Sequence, residues 1–441
     1  HWNSYEDGLS SQVFYIPYGE GKVLGKAVNI MEGSEFESPV MPFGDGEQFA
    51  WAPDSQSIYY ITKQKTGMAY AVSTNTDIFR YDLTTKTTTN ITEGMMGYEN
   101  SPAFSPDGSK LAWLSMKRDG YEADKNDLIV LDLKSGKKQN MTEFWDETLA
   151  AFKWSGNGKS IYFEAGKEAT YQLFELTLTD QLADLKQGKH IRQITGGDHE
   201  INGMQVTGHG LLAARNNFND ETEHIMYNQK TREGQKMTAV NNEIYAKSRM
   251  PKIEKRWIQT SDGKKMLTWV LLPPDFDRNK KYPALLYAQG GPQSAVSPFY
   301  SYRLNLQLMA SKGYVVIAPN RRGLPTFGVK WNEDISKDWG GQAIQDYLSA
   351  VDVMKKEPYI DAKNIGAVGA SHGGYAVYML AGVHENRFAT FISHCGMFDM
   401  KSWYLSTEEL FFANWDLGGN FWSEPVPKSF KEYDPINYVD K

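Results

Sequence analysis

Of 441 residues only one is a cysteine, Cys395, so no disulfide can form within the chain. It lies in the strand-like stretch FATFISHCG and is expected to pack as a small apolar group. Runs of 18 apolar residues are missing, and no membrane span is expected. There is no block of basic residues and the net charge is -7, which argues against a nucleic-acid partner. Neither a His-Glu-x-x-His pattern nor paired cysteines occur, so no metal site is expected. The glycines between Gly21 and Lys26 are wrongly spaced for a phosphate loop, and no dinucleotide fingerprint appears later, so no cofactor is expected. A leader pattern is also missing. The opening HWNSYEDG lacks an initiator methionine, as expected of a chain whose leader has been removed.

What the chain has in quantity is aromatic residues, with 12 Trp and 25 Tyr, and a repeat. FAWAPDSQSIYYIT, PAFSPDGSKLAWLS, FKWSGNGKSIYFEA and MQVTGHGLLAARNN each read as strand, tight turn, strand. Their aligned positions Trp51, Phe104, Trp154 and Val206 are 53, 50 and 52 residues apart. A second apolar element follows the first in the units DIFRYD, DLIVLDL and YQLFELTLTD, and its opening resembles SQVFYIPYG near residue 11. Units of about 50 residues with four short strands predict blades of a β-propeller. The first unit lacks its front half, so the propeller is expected to be incomplete at the N-terminus. Asn90-Ile-Thr92 and Asn140-Met-Thr142 fit the glycosylation pattern but recur at one repeat position, so they are read as repeat residues.

The pattern changes near residue 248. WVLLP, ALLYAQ and YVVIAP read as strands, alternating with the helical stretches NLQLMASKG and AIQDYLSAVDVMKKE. Such alternation predicts a mostly parallel sheet covered on both faces. The expected division is residues 1–248 for the propeller blades and 249–441 for an α/β-hydrolase domain. Within the latter, IGAVG runs into GASHGGYAVYMLAG, with Gly369-x-Ser371-x-Gly373 between strand and helix. A nucleophile elbow needs this pattern, because side chains two residues either side of the serine would collide with strand and helix. Ser371 is therefore the candidate nucleophile. The amide of His372 is the first candidate oxyanion donor, and the glycines of QGGPQ, Gly290 and Gly291, are candidates for the second.

A serine nucleophile needs a base, and none of the histidines after it is convincing. His372 sits in the elbow, His384 lies roughly 19 Å down the following helix, and His394 ends the next strand. The acid and base are expected beyond Lys441, so the hydrolase domain is expected to be incomplete at its C-terminus and the chain inactive, or nearly so, alone.

PALLYAQGGPQ, APNRRG, KDWGG and GASHGGY, in that order, resemble the prolyl oligopeptidase family of serine peptidases. QGGPQ with NRRG and HWNSYEDG is most similar to its dipeptidyl peptidase V branch. The resemblance covers nearly the whole chain and implies a seven-bladed propeller on an α/β-hydrolase domain. It implies release of dipeptides from the free N-terminus of short peptides, with an apolar residue or Ala before the cut. It also implies a periplasmic or secreted location, and a homodimer is one partner expectation. Where relatives often carry His or Tyr before Gly-Gly-Pro, this chain has Gln289, so a side-chain oxyanion donor there is in question. In the family the segment holding Met397, Phe398, Met400, Trp403 and Tyr404 lines the pocket for the residue before the cut. A substrate ammonium would need a carboxylate, and Glu47, Glu99, Asp146, Glu147 and Glu200 recur at a similar repeat phase. Two other readings stay open: an acylaminoacyl peptidase or esterase on the same fold, and a non-catalytic propeller binding protein.

Overall fold

The computed structural model describes residues 9–40 and 44–440, so HWNSYEDG falls outside the described residues. The four repeat units fold into four four-stranded antiparallel sheets, each a meander in chain order. They run from Phe49–Trp51 to Thr88–Asn90, Glu99–Phe104 to Lys138–Asn140, Leu149–Trp154 to Ile191–Gln193, and Glu200–Thr207 to Gly234–Lys236. Residues before them form two short two-stranded ladders.

The repeat has a local physical cause. In the second and third sheets the first turn closes through a serine hydroxyl on the next Asp or Asn, Ser105 on Asp107 at 2.6 Å and Ser155 with Asn157 at 2.9 Å. Gly108 and Gly158 take φ of 69° and 67° there, a conformation that suits glycine. The last strand of each sheet is clasped by a threonine. Thr92 and Thr142 each accept from a backbone amide of the third strand, Ile78 and Leu128, at 2.9 Å. Their hydroxyls donate to Asp77 at 2.8 Å and Asp127 at 3.0 Å. Asn90 and Asn140 in turn accept the amides of Thr92 and Thr142. The Asn-x-Thr triplets are thus part of the sheet. Apolar faces then stack sheet on sheet: Ile61 and Ile78 with Trp113 and Leu131, Leu114 and Val130 with Phe152 and Phe163, Tyr162 and Leu173 with Ile201 and Leu211.

From residue 252 a six-stranded mixed sheet takes over. Its strands are β1 (Lys252–Gln259), β2 (Lys265–Leu272), β3 (Tyr282–Ala288), β4 (Val315–Pro319), β5 (Ile360–Ala370) and β6 (Thr390–His394), in the order β1-β2-β4-β3-β5-β6. β3, β4, β5 and β6 run parallel, while β1 and β2 are antiparallel additions. Residues alternate between two cores, as a period of two requires. Val270, Leu286, Ile317 and Ala367 pack under helices α1 (Gln342–Met354) and α2 (His372–Val383). Trp269, Leu271, Tyr287 and Val316 face the other way, toward Ala169 and Phe218 of the antiparallel sheets.

The two regions are tied by the segment 325–333. The amides of Glu168 and Ala169 donate to the carbonyl and hydroxyl of Thr326, both at 2.8 Å. The amides of Gly328 and Val329 donate to Glu147 at 2.8 Å and Asp146 at 3.2 Å. One sequence expectation is overturned here. Cys395 is exposed, because β6 is the edge strand of the sheet and the residue after it faces outward instead of packing inward.

Candidate active site

Ser371 sits where β5 ends and α2 begins, with φ 58° and ψ -125°. A non-glycine residue holds such a conformation only when its surroundings force it. A Cβ on Gly369 would stand 2.5 Å from the Gly373 carbonyl oxygen, and one on Gly373 would stand 2.1 Å from that of Ala288. The strand-helix junction therefore closes only with glycine on both sides. The Ser371 amide donates to the His394 carbonyl at 2.9 Å, and its carbonyl accepts from Tyr375 at 3.0 Å. Ser371 is exposed, and among the described residues its hydroxyl has no hydrogen-bond partner. The first-turn amides of α2 lie beside it, and that of His372 has no acceptor within the helix.

The QGGPQ loop passes directly over this elbow. A Cβ on Gly290 would meet the Ala370 carbonyl oxygen at 3.0 Å and the Ser371 Cβ at 3.7 Å. Gly291 is exposed with φ 116°. Neither glycine amide is taken by another residue among those described, which leaves donors available beside the serine. Gln289 is buried and braced: it accepts from Tyr287 Oη at 2.7 Å and donates to Ser294 at 3.1 Å. Its side chain holds the loop in place.

His372 is 1% exposed, edge-on to Trp339 at 4.6 Å. Arg321 Nη2 lies 3.1 Å from its Nδ1. A guanidinium only donates, so that nitrogen must accept, and the ring is neutral. Burial first and Arg321 second hold its pKa well below the usual histidine range. His384 uses Nδ1 to accept the Phe388 amide at 3.3 Å. His394 contributes its carbonyl to Ser371, not its ring. None of the three is placed as a base for Ser371.

Of the expected pocket residues, Tyr404 is buried with its hydroxyl on Asn414 at 2.7 Å, and Met400 is buried in the same core. Met397 is half-buried against that core, and Trp403 packs on Trp339 and Phe412 at 5.8 Å and 5.7 Å. Phe398 is 40% exposed, its ring against Tyr378.

A cavity of about 230 Å³ lies between the antiparallel sheets and the α/β region. Gln293, two residues after Gly291, is in its wall, together with Glu122, Asn126, Glu147 and Tyr171. Glu122 opens onto the cavity but is surrounded by protein, and desolvation with Glu409 and Asp416 nearby lifts its pKa to about 7. Desolvation lifts Glu147 to about 8, against the opposing bond from Gly328. The remaining carboxylates of the repeat series are engaged elsewhere. Glu99 is fully buried on Trp113 Nε1 and Ser115, Glu200 binds Ser297, and Glu47 accepts the Asp45 amide. Glu122 lies in a loop outside the repeat phase, and no sequence signal singled it out.

An exposed serine on a strained strand-helix turn, with a glycine loop of unclaimed amides passing beside it, has the arrangement of an elbow-type α/β hydrolase site. Residues 300–441 match the prolyl oligopeptidase family model. It is 50% identical over 441 residues to dipeptidyl-peptidase 5 of Porphyromonas gingivalis, covering all of this chain and 63% of that protein. It is 30% identical to dipeptidyl-peptidase 5 of Trichophyton schoenleinii, covering 96% of this chain and 60% of that one. The chain thus spans 60% to 64% of the length of the curated relatives it matches. Among solved structures, Pyrococcus horikoshii acylaminoacyl peptidase superposes with a TM-score of 0.75 at 19% identity, over 95% of this chain and 60% of that one. Porphyromonas gingivalis dipeptidyl peptidase 4 gives 0.66 at 16% identity, over 88% and 53%. At these identities the structures speak to fold alone.

Proposed function

We propose that the whole protein is a serine exopeptidase that releases dipeptides from the free N-terminus of short peptides. The observation that carries this reading is the Ser371 elbow set against the Gly290–Gly291 loop. The names of the relatives at 50% and 30% identity support the dipeptidyl specificity. In this reading the four meander sheets are blades of a β-propeller, residues 1–248, over a hydrolase domain, residues 249–441.

Ser371 Oγ attacks the carbonyl after the second residue, and its proton passes to a base. The negative oxygen is held by the amides of His372 and Gly291, with Gly290 beside them. The carbon-nitrogen bond breaks as the amine takes that proton, and water then hydrolyses the acyl-enzyme. The described residues offer Ser371 no base, so the acid and base are placed in sequence following Lys441, and the 441 residues alone are read as inactive or nearly so. Glu122 and Glu147 line the cavity, and a bound substrate ammonium would draw their raised pKa values back down and favour the ionised carboxylates. Phe398 and Met397 are assigned to the apolar side for the residue before the cut. A periplasmic or secreted location and a homodimer complete the reading.

The test uses the full-length enzyme with a dipeptide amide carrying either a free or an acetylated N-terminus. Cleavage of the free form only, lost by at least about 1000-fold in Ser371→Ala, is expected. Preference for the acetylated form would show an acylaminoacyl peptidase instead, and no cleavage of either would favour a binding protein.

A further inference from the structure

Two adjacent arginines follow the strand β4, and the fold treats them in opposite ways. Arg322 is paired in the ordinary manner, with Asp262 at 2.7 Å and Asp346 at 3.1 Å. Arg321 is fully buried, and no carboxylate among the described residues lies within salt-bridge distance of it. The buried Asp416 carboxylate feels its charge without touching it, and a buried cation with no direct ion pair is costly unless other groups solvate it. Here backbone carbonyls do so. Nη2 donates to Pro292 O at 3.1 Å and more weakly to Gln289 O at 3.4 Å, and Nη1 donates to Arg322 O at 2.8 Å. Nε donates to Tyr347 Oη at 3.1 Å, and the same hydroxyl accepts the Gln289 amide at 3.1 Å.

The two carbonyls from QGGPQ flank the glycine pair, one before Gly290 and one after Gly291. In a trans peptide the carbonyl and the next amide point in opposite directions. Drawing the Gln289 carbonyl toward Arg321 therefore turns the Gly290 amide away from it. Fixing Pro292 on the other side removes the freedom of the intervening Gly291, which no side chain restrains. The same Nη2 also faces Nδ1 of His372, at 3.1 Å, the residue whose amide is the other candidate donor. One guanidinium thus touches both sides of the gap above Ser371. Its grip on both segments matters for the chemistry, because the transition state places a negative oxygen among those amides.

We propose that Arg321 is the positioning residue of the oxyanion hole, fixing the Gly290–Gly291 loop relative to the His372 amide. It touches no substrate and acts through the backbone it grips. The inference rests on the reading of Ser371 as nucleophile, and the experiment separates the two.

In the full-length enzyme, Arg321→Gln is compared with wild type and with Ser371→Ala for kcat, KM and thermal midpoint. Affinity is also measured for a dipeptide boronic acid, which forms a tetrahedral anion on the serine, and for the free dipeptide product, which does not. A misaimed oxyanion hole should lower kcat by about 10- to 100-fold. Boronate affinity should fall by a similar factor, while KM and product affinity stay within about twofold. Arg321→Lys should restore little, since a single ammonium cannot match the planar fork. Tyr347→Phe is the milder variant should Arg321→Gln fail to fold. It keeps the ring but removes the hydroxyl shared by Arg321 and Gln289, and a several-fold loss in kcat and in boronate affinity is expected. Wild-type kcat in a folded Arg321→Gln, or parallel loss of boronate and product affinity, overturns the proposal. So does unchanged kcat in Tyr347→Phe where Arg321→Gln does not fold. Full activity in Ser371→Ala would instead overturn the reading on which it rests.

Discussion

The antiparallel sheets and the mixed sheet handle their polar groups differently. In the sheets, repetition closes every clasp the same way: Thr92 with Asp77, Thr142 with Asp127, Thr195 with Gln172. Around Ser371 the pattern is reversed. Backbone strain is held in place, the glycine amides are unclaimed among the described residues, and His372 Nε2 is buried without a partner there. The repeated clasps serve stability, even though Arg80 Nε, Asn126 Oδ1, Trp145 Nε1 and His199 Nε2 in the same region are buried without partners. A region that keeps donors open and aimed can act on a charge that forms later.

Glycine substitutions break this contrast most sharply. Gly373→Ala would put a Cβ 2.1 Å from backbone, while Gly156→Ala, in a turn of the third sheet, meets nothing within 4 Å. The first should cost about 3 kcal/mol or more and abolish turnover. The second should be neutral or stabilise by up to about 1 kcal/mol. Thermal unfolding of the two variants reads the difference. Next in size is Thr142→Val, which strips the hydroxyl from the Leu128 amide and Asp127. A loss of about 1–3 kcal/mol is expected, with kcat unchanged, since the clasp is remote from the elbow.

The smallest effect is a pH dependence. Desolvation raises Glu147 to about 8, so between the ordinary carboxylate range and pH 8 the folded state binds more protons than the unfolded one. Stability should therefore fall as pH rises from 5 to 8. Glu147→Gln should flatten that slope, gaining about 2 °C relative to wild type at pH 8 and none at pH 5. A slope unchanged by the substitution would show that the burial of Glu147 does not carry it.

How much was legible in the sequence follows from how local each feature is. The turns of the repeat are encoded within five residues, so Trp51, Phe104, Trp154 and Val206 all fall in the first strands of their sheets. The elbow is equally local, its two glycines being required by the strand and helix they join. Strand β1, KIEKRWIQ, escaped notice because an edge strand with charged residues on one side lacks a strong apolar pattern. Glu122 escaped because its raised pKa comes from the protein packed around it. The hold of Arg321 on Gln289 and Pro292 spans 32 and 29 residues and leaves no periodic trace. Met400 and Tyr404 show the converse limit, because apolar composition alone cannot tell a core face from a pocket wall.

All of this centres on one hydroxyl. A fluorophosphonate probe applied to the full-length enzyme, followed by peptide mass spectrometry, should yield one stoichiometric adduct on the peptide containing Ser371. The adduct should be absent from Ser371→Ala. An adduct on a different serine, or dipeptide release that continues while Ser371 stays unmodified, would contradict the assignment.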